Sequence, residues 1–300
     1  MKFAVSYSGG KESALSLYRA IGLGHTPILL ITTFNADRNH SYTHGINEAM
    51  LSSVSDSLGI PYWPVKTTSE KYAQDFEKAL IHAKNIGAEA CVFGDVDIEG
   101  HRTWCSDRCE NVGLKPLFPL WGEDRADVVY EFIDSGFIAN ISVVNTRYLS
   151  DAFLGKQLTK ELVSCIASEG ADICGENGEY HTFVSDGPIF NQPVSFEYGE
   201  KIREGDYAML PLKASVVNSH RFFNNHDCKY FPCHKAEVPT NQFNCLFCYC
   251  PLYAMGDKCG GNFTFSDNGI KLCMECYFPH KPESYYIIIE NLKEWKPCIC

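Results

Sequence analysis

The chain has 300 residues, enough for two or three compact units, and its hydrophobic fraction of 45% is typical of a soluble globular protein. No apolar run approaches the roughly 18–20 residues that cross a bilayer, which excludes a membrane-spanning segment. The net charge is -11, and because nucleic acids are held by basic patches, this charge argues against DNA or RNA as the partner.

Charge and cysteine are both unevenly distributed. Residues 218–300 hold 8 basic and 8 acidic residues, so residues 1–217 carry the whole net charge. Ten of the 15 cysteines lie between Cys228 and Cys300. The N-terminus enters a strand pattern at once and leaves no room for a signal or transit peptide, so we expect a cytoplasmic protein. In that reducing compartment, clustered cysteines indicate metal ligands rather than disulfides.

The first region, residues 1–135, alternates strand and helix patterns. Helices are predicted at 12–21, 46–58 and 69–86, the last with Ser69 as its cap, and strands at 2–7, 27–34, 62–65 and 90–93. Strands separated by helices of this length indicate right-handed crossovers and a parallel sheet, an α/β fold of the Rossmann-like type. Ligands bind such sheets at the C-terminal ends of the strands, where Ser8, Asn35 and Asp95 fall.

Two further regions follow along the chain. Residues 136–217 contain one helical pattern, at 157–167, then the glycine-rich stretch CGENGEYHTF and several short strand patterns. They predict a smaller α+β substrate region. Residues 218–300 combine the clustered cysteines with little helical periodicity, which indicates a small cysteine-rich domain stabilised by metal rather than by a core.

The sequence SGGKES, residues 8–13, lies between the first predicted strand and the first predicted helix. Its glycines let backbone N–H groups converge on an anion, and the helix N-terminus adds partial positive charge. The spacing fits neither the Walker pattern nor G-x-G-x-x-G, but it matches the pyrophosphate-loop pattern S-G-G-x-[DE]-S. An ordinary Gly-Gly turn is the alternative. The residues predicted to bind the phosphates are Ser8, Gly9, Gly10, Lys11, Glu12 and Ser13.

A more specific resemblance is carried by SGGKES, GDVDIEGHRTWCSDRCENVGLKPLFPLW and GENGEYHTFVSDGPIF, in that order. Residues 1–200 resemble the diphthine–ammonia ligase family, which are N-type ATP pyrophosphatases of the adenine-nucleotide α-hydrolase superfamily. The resemblance implies a HUP-like nucleotide-binding domain. Two positions depart from the family: Glu12 stands where most members have Asp, and His181 stands where many have Glu. The second departure leaves room for a different acceptor pocket.

The resemblance implies an AMP-forming amide ligase. A nucleophile of the acceptor attacks the α-phosphate of ATP, pyrophosphate leaves and an adenylated acyl group remains, and ammonia then displaces AMP. Mg²⁺ would bridge the phosphates, with Asp95 as the residue that orients it; a plain helix cap is the alternative role for Asp95. The apolar residues 31–34 would form the wall of the adenine site.

Five residues are the predicted catalytic group. Arg102, in a predicted loop after the fourth strand, could pair with phosphate or with an acyl carboxylate; a surface arginine is the alternative. Glu176 and Glu179 flank a turn at Gly178, and either carboxylate could bind ammonium or act as the base. Solvated acids on a glycine-rich turn are the alternative there. The group is Lys11, Arg102, Glu176, Glu179 and His181.

The cysteine pattern predicts one or two zinc sites. A Cys-x-x-Cys pair places two thiolates on one metal, and two such pairs complete a tetrahedron. An iron–sulfur cluster is the alternative. Cys298 and Cys300 lie outside the cysteine pattern. The pattern itself resembles a prokaryotic cysteine-rich small domain. The expected first site is Cys245, Cys248, Cys273 and Cys276. The remaining ligands are Cys228, Cys233, Cys250 and Cys259, with His234 or His280.

Two other functions fit the same motifs. A sulfur-transfer or tRNA-modifying enzyme would carry persulfide on Cys105, Cys109 or Cys174, and the missing basic surface argues against it. A nucleotide-binding regulatory module would use its zinc domain to dock a partner. For the ligase, the expected partners are ATP, ammonia and an acyl acceptor, either a protein or a small molecule, that the sequence leaves unnamed. Assembly into a homo-oligomer stays open.

Overall fold

The computed structural model describes residues 1–36, 40–41, 46–214, 222–233, 243–281 and 284–294. The chain divides into two compact units, Met1–Ser215 and Val216–Cys300. Within the described ranges, no helix is both long and apolar enough to cross a membrane.

The first unit is centred on a six-stranded sheet. Its strands are β1 (Lys2–Ser6), β2 (Thr26–Asn35), β3 (His40–Ser41), β4 (Tyr62–Thr67), β5 (Ala90–Val92) and β6 (Lys115–Leu117). The order is β3-β2-β1-β5-β6, with β4 paired to β2, and every pairing except β2 with β3 is parallel. The α/β fold with a parallel sheet is therefore confirmed.

Five helices cover the two faces of this sheet. They are α1 (Lys11–Gly22), α2 (Glu48–Leu58), α3 (Tyr72–Asn85), α4 (Glu99–Val112) and α5 (Arg125–Asp134). Successive side chains of a strand point to opposite faces, so Phe3 and Val5 enter the core that contains α1, α2 and α5. Ala4, between them, enters the core formed with α3 and α4. Burial on both faces explains why β1 and β2 are nearly continuous apolar runs.

A second, antiparallel sheet packs beside the first. Its strands are β7 (Ile138–Asn145), β8 (Tyr180–Asp186), β10 (Ile202–Glu204) and β11 (Tyr207–Met209), in the order β10-β11-β7-β8. A pair of strands, β9 (Phe196–Tyr198) and β12 (Leu212–Ala214), and the helix α6 (Lys160–Ser168) complete the unit. Ile141 and Phe183 of this sheet share one hydrophobic cluster with Phe3 and Val5. Residues 136–214 therefore pack as part of the first unit.

Two local predictions were wrong, and the alternative role of Asp95 is excluded. The helix α3 begins after Lys71 without a side-chain cap, so Ser69 does not cap it. A helix, α4, stands where a loop was predicted around Arg102. The helix was not predicted because its polar sequence buries just two residues and gives no clear period. Its N-cap is Ile98, so Asp95 is not a helix cap.

The second unit has short elements around a small core. The chain forms a 3-10 helix at Tyr253–Cys259, a hairpin of β13 (Thr264–Phe265) and β14 (Lys271–Leu272), a 3-10 turn at Phe278–His280, and the helix α7 (Ser284–Glu294). Among its described residues, Leu252, Cys259 and Ile288 form one buried hydrophobic cluster, and Phe243 and Cys276 are also buried.

Candidate active site and cysteine module

The SGGKES loop connects β1 to α1, as predicted. Gly9 has a φ of +84°, and a Cβ built on it would stand 2.2 Å from Cδ1 of Ile46, so a side chain there would strain the backbone and displace Ile46. The hydroxyl of Ser13 donates to the carbonyl oxygen of Gly10 (2.9 Å), and the Gly10 N–H donates to Oγ of Ser8 (3.2 Å). The loop thus delivers the chain into the N-terminus of α1, where unpaired N–H groups and the helix dipole favour an anion.

Strand β8 holds this loop from the other sheet. The Lys11 N–H donates to Oγ1 of Thr182 at 3.1 Å, and the Val184 N–H donates to the carbonyl oxygen of Gly9 at 2.9 Å. These bonds join two segments that are more than 170 residues apart in the chain. The GENGEYHTF segment therefore lies directly against the glycine loop.

The segment after β5 forms another side of the site. A Cβ on Gly94 would lie 2.9 Å from the carbonyl carbon of Glu12, so only glycine permits this approach. Asp95 follows, and its Oδ1 lies 3.3 Å from Nδ1 of His101. Burial raises the pKa of the Asp95 carboxyl, and the nearby His101 and Cys105 partly oppose that rise.

These segments enclose one cavity of about 470 Å³. Phosphate-loop residues line one part and aromatic side chains another. The lining residues that carry chemistry are Ser8, Lys11, Glu12, Ser13, Asp95, His101, Glu176 and His181, and the aromatic ones are Tyr72, Phe76, Phe93, Trp104 and Tyr180.

A group of charged side chains lies at the junction of loop and segment. Lys11 is 3% exposed and forms an ion pair with Glu12, and its Nζ stands 4.9 Å from the centre of the Tyr180 ring. The Cys174 sulfur lies 3.9 Å from a carboxylate oxygen of both Glu12 and Glu176. Among the described residues, one group of possible metal ligands has all its ligand atoms within 4.8 Å of one another: Glu12, Cys174 and Glu176.

Burial and charge shift the acidity of this group. Burial, reinforced by the Glu12 carboxylate, raises the pKa of Glu176 from 4.5 to about 8, against the opposing effect of Lys11. Burial alone would lower the pKa of Lys11, but Glu12 and the neighbouring acids reverse this and raise it. Lys11 therefore stays cationic, while the Glu176 carboxyl gains or loses its proton near pH 8.

Arg125 connects the two segments that border the cavity. Its guanidinium donates to both carboxylate oxygens of Asp97 (2.7 and 2.8 Å) and to Asp172 (2.5 Å). Asp172 in turn accepts from the backbone N–H groups of Cys174 (3.0 Å) and Glu176 (3.1 Å). This link could not be predicted from the sequence, because nothing in the spacing of the three residues indicates it.

Some predicted site residues lie elsewhere. Both carboxylate oxygens of Glu179 accept from Asn177, and Glu179 is 5% exposed in the turn rather than in the cavity wall. Arg102 lies over the Trp121 ring at 4.7 Å and is not part of the cavity lining. Residues 31–34 belong to β2 and also do not line it. The aromatic wall comes instead from α3, α4 and the end of β5.

The thiols proposed for persulfide chemistry are buried. Cys105, Cys109 and Cys174 are all free and buried. Burial raises the pKa of the Cys105 and Cys174 thiols, and nearby carboxylates add to the effect. Since the thiolate is the reactive form, these surroundings disfavour sulfur transfer.

In the second unit the described cysteines separate into two groups. The first, the cavity thiols, lines a cavity of about 20 Å³: Cys250, Cys259, Cys273 and Cys276. The second group, the outer thiols, consists of Cys233 and the thiols that raise its pKa: Cys228, Cys233, Cys245 and Cys248. Burial raises the pKa of Cys250 and of Cys233, each reinforced by the thiols of its own group.

This grouping differs from the one predicted from the Cys-x-x-Cys spacings. The 3-10 helix that ends at Cys259 and the hairpin that precedes Cys273 bring sequence-distant thiols together. Among the described residues, no three of these thiols lie mutually within 4.8 Å. His280 stacks on Phe243 and its Nδ1 lies 2.8 Å from the carbonyl oxygen of Asn244, while His234 falls outside the described residues.

The glycine loop on a parallel sheet, closed by an antiparallel sheet, defines an ATP-binding protein of the pyrophosphate-loop class. Residues 1–116 match the diphthamide synthase N-terminal domain, residues 124–217 match the diphthamide synthase C-terminal domain, and residues 219–298 match a cysteine-rich small domain. The chain therefore belongs to the diphthamide synthase family, which confirms the resemblance seen in its motifs.

Similar proteins include a diphthine–ammonia ligase of Danio rerio, 27% identical over 231 residues, which covers 68% of this chain and 90% of that protein. An uncharacterized protein of Methanocaldococcus jannaschii is 36% identical over 73 residues, 23% of this chain and 54% of that protein. A solved structure from the same archaeon, titled as a predicted subunit of tRNA methyltransferase, has 17% identity and a TM-score of 0.36. It covers 65% of this chain and 100% of its own length, and its low TM-score indicates only a weak likeness.

Proposed function

We propose that this protein is an ATP-dependent ligase that adenylates an acyl acceptor, releases pyrophosphate, and then forms an amide with ammonia. The observation that carries the proposal is the single cavity in which the phosphate loop faces Glu176, a carboxyl group with a pKa of about 8. The names of its relatives as diphthine–ammonia ligases support the same reaction class.

The phosphate loop would hold the β- and γ-phosphates, which form the leaving group. The N-terminus of α1 supplies backbone donors that are fixed before the reaction. The hydroxyls of Ser8 and Ser13, which donate here to Oγ of Ser13 and to the carbonyl oxygen of Gly10, would turn to the phosphates when ATP binds. Lys11 adds a cation that its buried pairing with Glu12 holds in place. The negative charge that grows on pyrophosphate is thereby stabilised most in the transition state, in which the bond to the α-phosphate breaks.

The aromatic wall offers a place for the adenine. Phe76 and Phe93 have ring centres 6.3 Å apart, and Trp104 lies 5.5 Å from Phe76. Flat apolar faces of this kind suit a purine ring, which stacks on aromatic side chains. With the phosphates at the loop and the base against this wall, the α-phosphate would lie toward Glu176 and His181.

Mg²⁺ would supply charge neutralisation at the phosphates when bound, and Asp95 is the residue proposed to hold it. Carboxylate and phosphate oxygens are the ligands that this ion prefers, and Asp95 lies in the same cavity lining as Ser8. The second unit is proposed to bind zinc, since eight free cysteines in two groups provide the sulfur ligands that zinc prefers.

Glu176 is proposed as the base of the amide-forming step. Its pKa of about 8 allows it to accept the proton that ammonia loses when the C–N bond forms and AMP departs. Glu12, whose carboxylate also lies 3.9 Å from the Cys174 sulfur, adds negative charge that would attract an ammonium ion toward the same point. His181, which also lines the cavity, would contact the acceptor.

The test is the product formed from Mg-ATP. With a diphthine-bearing protein as the first acceptor assayed, the full-length chain should yield AMP and pyrophosphate in equal amounts, and it should need ammonia rather than a sulfide donor. Lys11→Ala should lower turnover by roughly 10²- to 10³-fold, the typical cost of losing one preorganised group. Stoichiometric ADP would contradict the proposal, and a requirement for sulfide would favour the sulfur-transfer enzyme.

A further inference from the structure

Lys271 has an unusual environment for a lysine. Its residue is 8% exposed, and its Nζ donates to the carbonyl oxygens of Gly256 (2.7 Å) and Tyr253 (3.4 Å). The ammonium also lies 4.5 Å from the centre of the Phe263 ring. No described carboxylate forms an ion pair with it. The carbonyl oxygens and the aromatic face solvate the ammonium but carry no net charge, so its positive charge would stabilise an anionic group close to it.

The cavity thiols are that group. Lys271 lines the same cavity of about 20 Å³ as the four sulfur-bearing side chains. This volume is about that of one small ion or water molecule. Four thiols that lose their protons to a divalent ion leave a net charge of -2 on the site, and a buried ammonium would offset half of it.

The backbone next to these sulfurs is also shaped for them. A Cβ built on Gly261 would stand 2.8 Å from the Cys276 sulfur and 3.8 Å from the Cys259 sulfur. A side chain at position 261 would therefore occupy the space of the thiols. The preceding Gly260 has a φ of +71°, which lets the chain turn tightly after Cys259.

We propose that the cavity thiols bind one divalent metal ion together, and that the Lys271 ammonium neutralises part of the charge of this site. The outer thiols then form a second, separate site. Metal binding would draw the cavity thiols inward, since their sulfurs are not yet within mutual ligand distance. This inference rests on the proposed metal-binding role of the second unit, and it assigns ligands differently from the spacing of the Cys-x-x-Cys pairs.

The grouping is tested by metal content per full-length chain after loading with Zn²⁺. The wild type should hold two ions. Cys259→Ser and Cys273→Ser should each lose one ion, and the double variant should also lose one, because both thiols serve the same ion. If the double variant loses both ions, the two thiols belong to different sites and the proposal is wrong.

A second measurement needs no variant. Partial removal of metal from the wild type with a chelator, followed by alkylation and peptide mass spectrometry, should expose all four cavity thiols together, as a set distinct from the outer thiols. Alkylation of Cys273 and Cys276 together with Cys245 and Cys248 would overturn the grouping. A chain that binds no metal at all would defeat the metal-binding role itself, and the AMP assay would be unaffected by that result.

The role of Lys271 is tested by competition with a chelator. Lys271→Met should weaken retention of one of the two ions by roughly 10- to 100-fold, the cost typical of losing an outer-shell partner of a metal site. Lys271→Arg should restore most of it, since the charge is kept. Lys258→Met, which removes an exposed lysine beside Cys259, is the matched control and should have little effect. Equal retention in Lys271→Met and wild type would contradict the charge-compensating role.

Discussion

At the scale of single residues, Glu176 and Glu179 illustrate how surroundings separate two similar carboxylates. They stand three positions apart on the same glycine-rich segment. Glu176 lines the cavity beside Glu12 and Cys174, whereas Glu179 accepts from Asn177 and closes the turn. The sequence predicted both as catalytic candidates. The turn, with positive φ at Gly175 and Gly178, decides which of them faces the cavity, and that depends on contacts the local sequence does not reveal.

The two glutamates should respond differently to the same substitution. Glu176→Gln removes the proposed base and should lower kcat by roughly 10²- to 10⁴-fold with little change in the KM for ATP. Glu179→Gln is the matched control. It loses acceptor capacity in the turn and should mainly lower thermal stability. Steady-state kinetics with ammonia as the variable substrate distinguishes them, and a larger loss of kcat in Glu179→Gln would reverse the assignment.

The raised pKa of Glu176 also predicts a pH dependence. Below about pH 8 the carboxyl is protonated and cannot accept a proton, so the rate at a constant concentration of free ammonia should rise as pH increases through 8. This rise should be absent in Glu176→Gln.

The same shift affects stability. The folded protein binds more protons than the unfolded chain between pH 4.5 and about 8, so the free energy of unfolding should fall as pH rises through that window. Chemical denaturation at several pH values measures this slope. Glu176→Gln should make it shallower, and an unchanged slope would show that the group is not buried as described.

At the scale of elements, the alternation of strands and helices in residues 1–93 was predictable because it depends on local apolar periodicity. Apart from the two-residue strand β3, which was not predicted, the strands and helices observed there lie within a few residues of the predicted ranges. Helix α4 was missed because its buried side is limited to Cys105 and Cys109. The contact between β8 and the glycine loop could be predicted only through the family resemblance, since no local pattern encodes a bond between Lys11 and Thr182.

The Arg125 link between elements should control the position of Glu176. Arg125→Met leaves Asp97 and Asp172 without their shared cation, and Asp172 is the acceptor for the Glu176 N–H. Because Arg125 also lowers the pKa of Glu176, its loss should move the rise in rate to higher pH. Hydrogen exchange at residues 172–178 should become faster as the turn loosens.

A control separates this role from general loss of a salt bridge. Arg203 pairs with Asp151 at 2.7 Å, but it is 62% exposed, and an exposed ion pair of this kind contributes little to stability. Arg203→Met should leave both the pH profile and the exchange rates unchanged. If Arg125→Met behaves in the same way, the link has no positioning role.

At the scale of the whole molecule, the two units rely on different sources of stability. Residues 1–214 contain two extensive hydrophobic cores, whereas the described part of the second unit has a core of Leu252, Cys259 and Ile288. Small modules of this kind are commonly held by structural zinc, which supplies about 10–16 kcal/mol of binding free energy. The distribution of cysteines in the sequence predicted this contrast. Which thiols lie together depends on the path of the chain and could not be predicted from their spacing.

Loss of one zinc ligand should therefore open the part of the second unit around that site and spare the first unit. Cys245→Ser should make the segments that carry the outer thiols sensitive to limited proteolysis, while the protein keeps its ATP-binding affinity, because the residues proposed to bind ATP all belong to the first unit. Cys165→Ser, which removes an exposed thiol of the first unit, is the control and should leave the digestion pattern unchanged. Treatment of the wild type with a strong chelator should reproduce the effect of Cys245→Ser. Proteolysis that begins instead within residues 1–214, or a digestion pattern that does not respond to metal removal, would show that the second unit does not depend on zinc.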